Sequence, residues 1–335
     1  MHVHPFDIVK PIFNEINRVT KSLRSKGVLS RNINDPFQAA RQLIRAGKFR
    51  EAVKLTRLYL KAYAIVRSVG YPEIKGGNDV IRLLENMSLH ESFFIFVNLM
   101  EMHQPYKTDM PRLRLAMYSP LIYSDLFGYK RISNQLMRRI RRDYYNEVGI
   151  VNRYIWRIIG YLKQRGLYDN TLIIITGDHG QELKEHGYYG HGIYLHNEII
   201  EVPLIVKFPG NRRINVRKGY QSLTRLYDLV LNVIEGNYED VITTDIAFSE
   251  SFGITHDLET VLGKYMGRPD FNEKRRVIDC VRKAVYKDGY KLVYNFTLNK
   301  IEEFSYNGRE IKESNNRDVI LKDLMVYLKN NYVFD

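Results

Sequence analysis

Leu172-Ile-Ile-Ile-Thr-Gly177-Asp178-His179-Gly180 opens the stretch that decides how this chain is read. It continues through Glu185-His186-Gly187-Tyr-Tyr-Gly190-His191-Gly192 to Glu201-Val-Pro203-Leu-Ile-Val-Lys207-Phe-Pro209-Gly210. A short apolar run that stops at an acid and an imidazole predicts a buried strand handing polar groups to a loop. Neighbouring residues of a regular strand point to opposite faces, so joint ligation by Asp178 and His179 requires the strand to have ended. Gly177 and Gly180 supply that break. A carboxylate oxygen and a ring nitrogen at such a place suit a divalent cation. His191, between two glycines, has little side-chain bulk beside it to hinder an anion. Because the unperturbed pKa of an imidazole lies near neutrality, a histidine here could bind an anionic ester oxygen or protonate a leaving group. His186 is the weaker candidate, as much a polar loop residue as a ligand.

Working outward, Phe93-Phe-Ile-Phe-Val-Asn-Leu99 reads as a strand buried on both faces. It delivers Glu101-Met-His103-Gln-Pro105-Tyr106 at its carboxyl end, where ligands gather in open α/β sheets. That position suits a functional histidine at His103, and equally a loop histidine held by local hydrogen bonds. Between the two runs lies an amphipathic helix with Val148, Val151, Ile155, Ile158, Ile159 and Leu162 on one side, ended by Gly166. Strand, helix and strand with a long crossover predict a parallel sheet.

The first ninety residues read as helices, with apolar spacing through Ile12, Ile16 and Leu23 and through Phe37, Ala40, Leu43 and Ile44. Asn34-Asp35-Pro36 is a helix start. After Gly210 a helix over Ser222–Ile234 and a strand over Asp245–Glu250 are expected. Short strands are then predicted over Val277–Tyr286, Lys291–Asn295 and Ile301–Ser305, turning at Asp288-Gly289 and Asn307-Gly308, before a closing helix over Arg317–Lys329. The expected fold is α/β. It has a mainly parallel central sheet flanked by helices, and a small C-terminal antiparallel sheet with one helix. The expected divisions are a helical segment over 1–90, an α/β core over 91–270 and an α+β subdomain over 271–335.

With 44% hydrophobic and 27% charged residues in 335, the composition is that of a globular protein, not a disordered one. The net charge of +13 and pI near 9.5 attract anions, and nucleic acid, acidic lipid and sulfated or phosphorylated substrates all fit that. The cluster Arg138-Arg139-Ile140-Arg141-Arg142 spreads around a helix, so most of it should face water. No zinc-finger or RNA-binding signature points to a specific nucleic-acid partner. Cys280 is the only cysteine, which excludes an intrachain disulfide and a four-cysteine zinc site. Met1 to Asp7 carries no signal-peptide apolar region, and no run approaches a membrane span, so a cytoplasmic location away from the membrane is expected.

Five blocks, in order, resemble the sulfatases of the alkaline phosphatase superfamily. They are Phe94–Tyr106, Gly166–Thr171, Gly177–Gly180 with Glu185–Gly192, Glu201–Lys207, and Lys287–Tyr294. The likeness covers roughly Lys75 to Asp335 and implies an alkaline-phosphatase-like fold and a metal-dependent hydrolase of sulfate esters. By position, Asp178 and His179 resemble the family's metal-binding pair. His191 stands where a lysine or histidine contacts the sulfate or phosphate, and His103 where a histidine lies near the leaving oxygen. The resemblance implies a divalent metal, calcium first, with zinc or manganese as alternatives.

Family members also carry a strand with two metal-binding aspartates, and soon after it a nucleophile within Cys/Ser-x-Pro-x-Arg or a Ser/Thr. Neither is found here: Cys280-Val281-Arg282 lacks the proline, and Ser30-Arg31 lacks both cysteine and proline. The expectation is therefore a chain lacking the N-terminal nucleophile segment, incomplete or inactive alone. It would be a truncated product, or one half of a split enzyme whose partner chain supplies the nucleophile. Two ligands predict weak metal binding by this chain alone. The alternatives are a phosphatase, phosphodiesterase or phosphonate hydrolase of the same superfamily, and a non-catalytic polyanion-binding protein.

Overall fold

Alternation of apolar and polar residues at three and four spacing produces the first elements. The computed structural model describes residues 5–30, 36–68, 75–89, 92–104, 106, 118–256, 258–311 and 317–330. Helices α1 (Pro5–Ser25), α2 (Pro36–Arg45) and α3 (Phe49–Ser68) close one apolar cluster. Ile16 and Leu23, Ala39 and Leu43, and Ala52, Leu55 and Ala62 are its buried members, with Leu29 beside them. Pro36 opens α2 as expected, while Asn34 and Asp35 lie outside the described residues. The other helices are α4 (Gly77–Asn86), α5 (Tyr118–Leu126), α6 (Asn134–Gln164), α7 (Asn197–Ile200), α8 (Leu226–Ile234), α9 (Leu258–Leu262), α10 (Phe271–Ile278) and α11 (Arg317–Asn330). On α6, Arg138, Arg139 and Arg142 face water while Ile140 is buried, which accounts for the basic cluster as a solvated face. No described helix is long and apolar enough to cross a membrane.

The chain forms two units. The first comprises residues 1–124, 129–162 and 258–268, the second 125–128, 163–257 and 269–335.

In the first unit the expected strand Phe93–Leu99 takes no ladder among the described residues. Exposure alternates along it with period two, the mark of an extended chain, and Leu99 has φ −96° and ψ 115°. Phe94 and Phe96 are 79% and 80% exposed. The run is therefore not buried on both faces as expected. Local sequence sets its extended conformation, but burial needs neighbouring strands on each side.

In the second unit β1 (Ile173–Thr176) pairs with β4 (Leu204–Lys207), Ile174 opposite Val206. Leu172, Ile174, Leu204 and Val206 pack against Phe208, Ile242 and Leu229 of α8. The Lys207 ammonium donates to the carbonyls of Tyr168, Asp169 (2.8 Å) and Thr171 (3.2 Å), tying down the loop that feeds β1. Two short antiparallel pairs, β2 (Glu182–Leu183) with β3 (Tyr189–Gly190) and β5 (Tyr220–Gln221) with β6 (Thr243–Thr244), complete the loop region. Every strand pairing among the described residues is antiparallel, the one between β1 and β4 included.

The C-terminal sheet has five strands in the order β11-β10-β9-β8-β7. They are β7 (Ile246–Ser251), β8 (Arg282–Lys287), β9 (Tyr290–Asn295), β10 (Lys300–Tyr306) and β11 (Arg309–Glu310). The two expected turns are present. Asp288 and Gly289 have φ 51° and 83°, and Asn307 and Gly308 48° and 75°, the paired left-handed residues of a type I′ hairpin turn. One face, through Val285, Leu292 and Phe304, packs on Leu324 and Leu328 of α11; the other, through Ala284 and Val293, packs on Leu195. The expected strand over Val277–Tyr286 is corrected at its start. Val277 and Ile278 close α10, where Phe271 and Ile278, seven residues apart, are both buried on one helical face.

Candidate functional site

The loop after β1 is held by backbone contact that only glycine permits. The Gly180 N–H donates to the Ile199 carbonyl at 2.6 Å, and a Cβ on Gly180 would lie 2.1 Å from the Glu198 carbonyl oxygen. Gly180 thus presses the Asp178-His179 turn against α7, a closer role than the strand break read from sequence. The neighbouring Gly177 would meet nothing closer than 3.4 Å. Further on, Gly190 (φ 134°) and Gly192 (φ 86°) place His191 between two left-handed residues. The Tyr188 hydroxyl donates to the His191 carbonyl at 3.0 Å and so fixes that arch.

Asp178, His179 and His191 are brought together. The two imidazoles stack with centroids 4.1 Å apart and planes 27° apart. His179 Nδ1 donates to the Gly180 carbonyl at 2.8 Å, and His191 Nδ1 to Gln181 Oε1 at 2.8 Å. Each bond puts the proton of a neutral ring on Nδ1 and leaves the lone pair on Nε2, the form a metal or an acidic proton requires. Asp178 is 87% exposed, and its Oδ1 accepts the His179 N–H at 3.0 Å. Its Oδ2 lies 3.9 Å from His179 Nε2. That spacing, with one oxygen and one nitrogen, fits two ligands of a single cation. Among the described residues no group of three or more His, Cys, Asp or Glu is arranged to hold one. The pair fits part of a coordination shell and no more.

His186 belongs elsewhere. It stacks on His196 with centroids 4.2 Å apart, and its Nε2 meets Glu198 Oε2 at 3.1 Å. Beneath them the Glu182 side chain, wholly buried, accepts from the His186 N–H at 2.8 Å and from His196 Nδ1. Tyr194 stacks on His196 and lies over the Arg282 guanidinium, which donates to Glu302 at 2.7 Å and to the carbonyls of Ile278 and Val277. A buried carboxylate and a buried guanidinium, each with several partners, make a scaffold beneath the loop. Sequence reading missed Gln181, Glu182, His196 and Arg282.

His103 lies in the first unit. The 3-10 turn Met100–Met102 follows the extended run, and the His103 N–H donates to the Met100 carbonyl at 3.0 Å. Its Nδ1 meets the Gln104 carbonyl at 2.5 Å, the same tautomer as in the other two histidines.

A model of the sulfatase family matches residues 75–236, a span that holds His103, Asp178, His179 and His191. Over that span the chain is similar to the sulfatases. It is 34% identical over 102 residues to the multifunctional alkaline phosphatase superfamily protein PehA of Trinickia caryophylli, covering 30% of this chain and 20% of that protein. It is 35% identical over 85 residues to an N-acetylglucosamine-6-O-sulfatase of Bacteroides thetaiotaomicron, covering 25% of this chain and 15% of that protein. The phosphonate monoester hydrolase of Agrobacterium radiobacter shares the fold, with a TM-score of 0.51 and 18% identity over 76% of this chain and 59% of that one. The chain thus spans less than two thirds of each of these relatives.

Proposed function

We propose that this chain supplies one wall of a hydrolase site for sulfate or phosphate monoesters and diesters, completed by a polypeptide bearing a nucleophile and two further carboxylates. The observation that carries the reading is the trio Asp178, His179 and His191, with both rings turned so that Nε2 holds the lone pair. Asp178 and His179 Nε2 would hold a divalent cation, calcium first among the expectations, with zinc or manganese as the alternatives. Such a cation, when bound, polarises the ester oxygens. His191 is the proton-bearing group: on protonation at Nε2 it donates to an ester oxygen, while Gln181 Oε1 accepts Nδ1–H in both charge states. For His103, in the first unit, the role near a leaving oxygen rests on the resemblance alone, and its ring is set by the Gln104 carbonyl.

The run Phe93–Leu99, without a ladder among the described residues, supports the second half of the reading. Extended backbone with two phenylalanines in water fits a strand that takes neighbours from another polypeptide, in a central sheet that is then mainly parallel. The test is co-expression with a polypeptide carrying the aspartate pair and a nucleophile, assayed on 4-nitrophenyl sulfate and bis(4-nitrophenyl) phosphate. Association and hydrolysis of either ester, lost in Asp178→Ala, are expected; a correctly modified partner that neither binds nor restores turnover overturns the reading. A second reading, polyanion binding, is favoured by the net charge of +13. It predicts a salt-dependent affinity for heparin and DNA alike that His191→Ala leaves unchanged.

A further inference from the structure

Among the described residues the extended run Phe93–Leu99 carries no ladder, so no strand pairing described there secures the turn that follows it and presents His103. That turn is held from the start of α4. The Lys75 ammonium donates to the Glu101 carbonyl at 2.8 Å and to the His103 carbonyl, on either side of Met102. It also lies 5.7 Å from the centroid of the Tyr106 ring, which is buried and packs edge-on against Tyr144. A tie in the opposite direction completes the joint. The buried Glu101 carboxylate accepts the Gly77 N–H through Oε1 at 2.9 Å, at the first residue of α4. A Cβ on Gly77 would lie 2.4 Å from that oxygen and 2.7 Å from the Tyr154 ring. The lack of a side chain at Gly77 is what lets the two segments meet. Glu101 Oε2 is buried with no hydrogen-bond partner among the described residues, so the carboxylate is held by this joint through one oxygen only.

We propose that Lys75 is a positioning residue: by bridging the Glu101 and His103 carbonyls it fixes the turn, and with it the direction of the His103 ring. The proposal rests on the reading of His103 as the leaving-group histidine. An ammonium is suited to this task because its three donors reach two diverging carbonyls at once, and a carbonyl pair offers no proton to compete. Burial makes the arrangement costly and lowers the Lys75 pKa to about 8, against the pull of Glu147 and Glu101. A lysine kept charged in such a place at neutral pH belongs to the kind of perturbed group that gathers at functional sites.

The experiment compares the full chain with Lys75→Met and Lys75→Arg, labelled for histidine NMR. In Lys75→Met the His103 amide, bonded to Met100, should exchange roughly tenfold faster, as expected of a locally loosened segment. The His103 ring signals should shift, while those of His179 and His191 stay. Lys75→Arg, which keeps the donors, should restore most of the protection. Should Lys75→Met fail to fold, Lys75→Gln takes its place, with one carbonyl still served and an intermediate exchange rate expected. His103 signals and exchange unchanged in the folded variant overturn the proposal. Where a complementing polypeptide restores ester hydrolysis, Lys75→Met should lower kcat roughly ten- to a hundredfold with KM little changed. A wild-type chain without turnover, in which His103 still responds to Lys75→Met, removes the ester reading and leaves the positioning role standing.

Discussion

Two apolar runs of similar length meet opposite fates in this chain. Tyr290–Asn295 lies in the middle of the C-terminal sheet, paired with β8 on one side and β10 on the other, and its Leu292 is fully buried. Phe93–Leu99 has no pairing among the described residues, and its Phe94 and Phe96 stand in water. The difference is one of contact range. β8, β9 and β10 are consecutive in sequence, and the β8–β9 and β10–β11 connections are two-residue turns whose residues already favour positive φ, so the sheet assembles from neighbours. A strand meant for the interior of a parallel sheet must find partners across long crossovers or on another chain. Extended conformation is local property; burial is not.

The widest gap between the two runs should appear on truncation of a side chain. Leu292→Ala, in a site with no exposure, should destabilise the second unit by about 2–5 kcal/mol. Phe96→Ala should stay within about 0.5 kcal/mol, because its ring gains little by leaving water in this chain alone. Urea unfolding followed by hydrogen exchange within each unit measures both. Equal costs would break the comparison and mean that the 93–99 run is buried in solution.

The next effect concerns how the turn after that run is anchored, through Lys75. Its folded pKa of about 8 lies below the value of 10.5 for an unperturbed lysine. Between those values the unfolded chain binds more protons than the folded one, so stability rises with pH. The buried charge is a penalty fully present below about pH 8 and shed by about pH 10.5. Two and a half units correspond to on the order of 3 kcal/mol. The difference between wild type and Lys75→Met, measured from pH 7 to 10.5, isolates it from tyrosines such as Tyr144 and Tyr154, whose pKa values burial raises. A flat difference would mean that Lys75 keeps its solution pKa and that its carbonyl bonds cost nothing.

A smaller effect tests the paired sheet at its turn. Gly289 has φ 83°, and a Cβ there would lie 2.7 Å from Asn307 Oδ1 and 3.0 Å from the Tyr306 ring. Gly289→Ala should therefore cost about 1–2 kcal/mol through left-handed backbone strain, with the flexible Asn307 moving aside. A neutral result would show that the turn has changed type.

These cases mark what could be read from the residues. The hairpin turns at Asp288-Gly289 and Asn307-Gly308 were legible because turn type follows from two adjacent residues. Asp178, His179 and His191 were legible as a group because glycines bracket them, and the structure does place them together. Their orientation was not legible. It depends on Gln181 and on Gly180 meeting α7, contacts made only when the loop closes. Lys75 meets the carbonyls of Glu101 and His103, and the Glu101 carboxylate meets the Gly77 N–H; backbone partners of this kind leave no side-chain pattern to detect. The start of β8 was misplaced because Val277 and Ile278 suit a strand locally, while burial of Phe271 and Ile278 on one face favours a helix.

The smallest effect is expected at β1, which stands between the two runs: it is paired with β4 and carries Asp178 and His179 beyond its end. If the loop after it is a partial coordination shell, calorimetric titration with calcium, zinc or manganese should give a Kd weaker than about 1 μM, less than about 8 kcal/mol. Asp178→Ala and His179→Ala should each abolish the heat, since a shell of two ligands has none to spare. The exposure of Asp178 works in the same direction, because water screens its charge and competes for the ion. Addition of the complementing polypeptide should tighten binding by several orders of magnitude, and that gain should vanish when Phe94 and Phe96 are both changed to Ser. A submicromolar site in the chain alone, dependent on Asp178, would mean that further ligands are already in place. The contrast between the self-sufficient sheet and the unpaired run would then no longer extend to the chemistry.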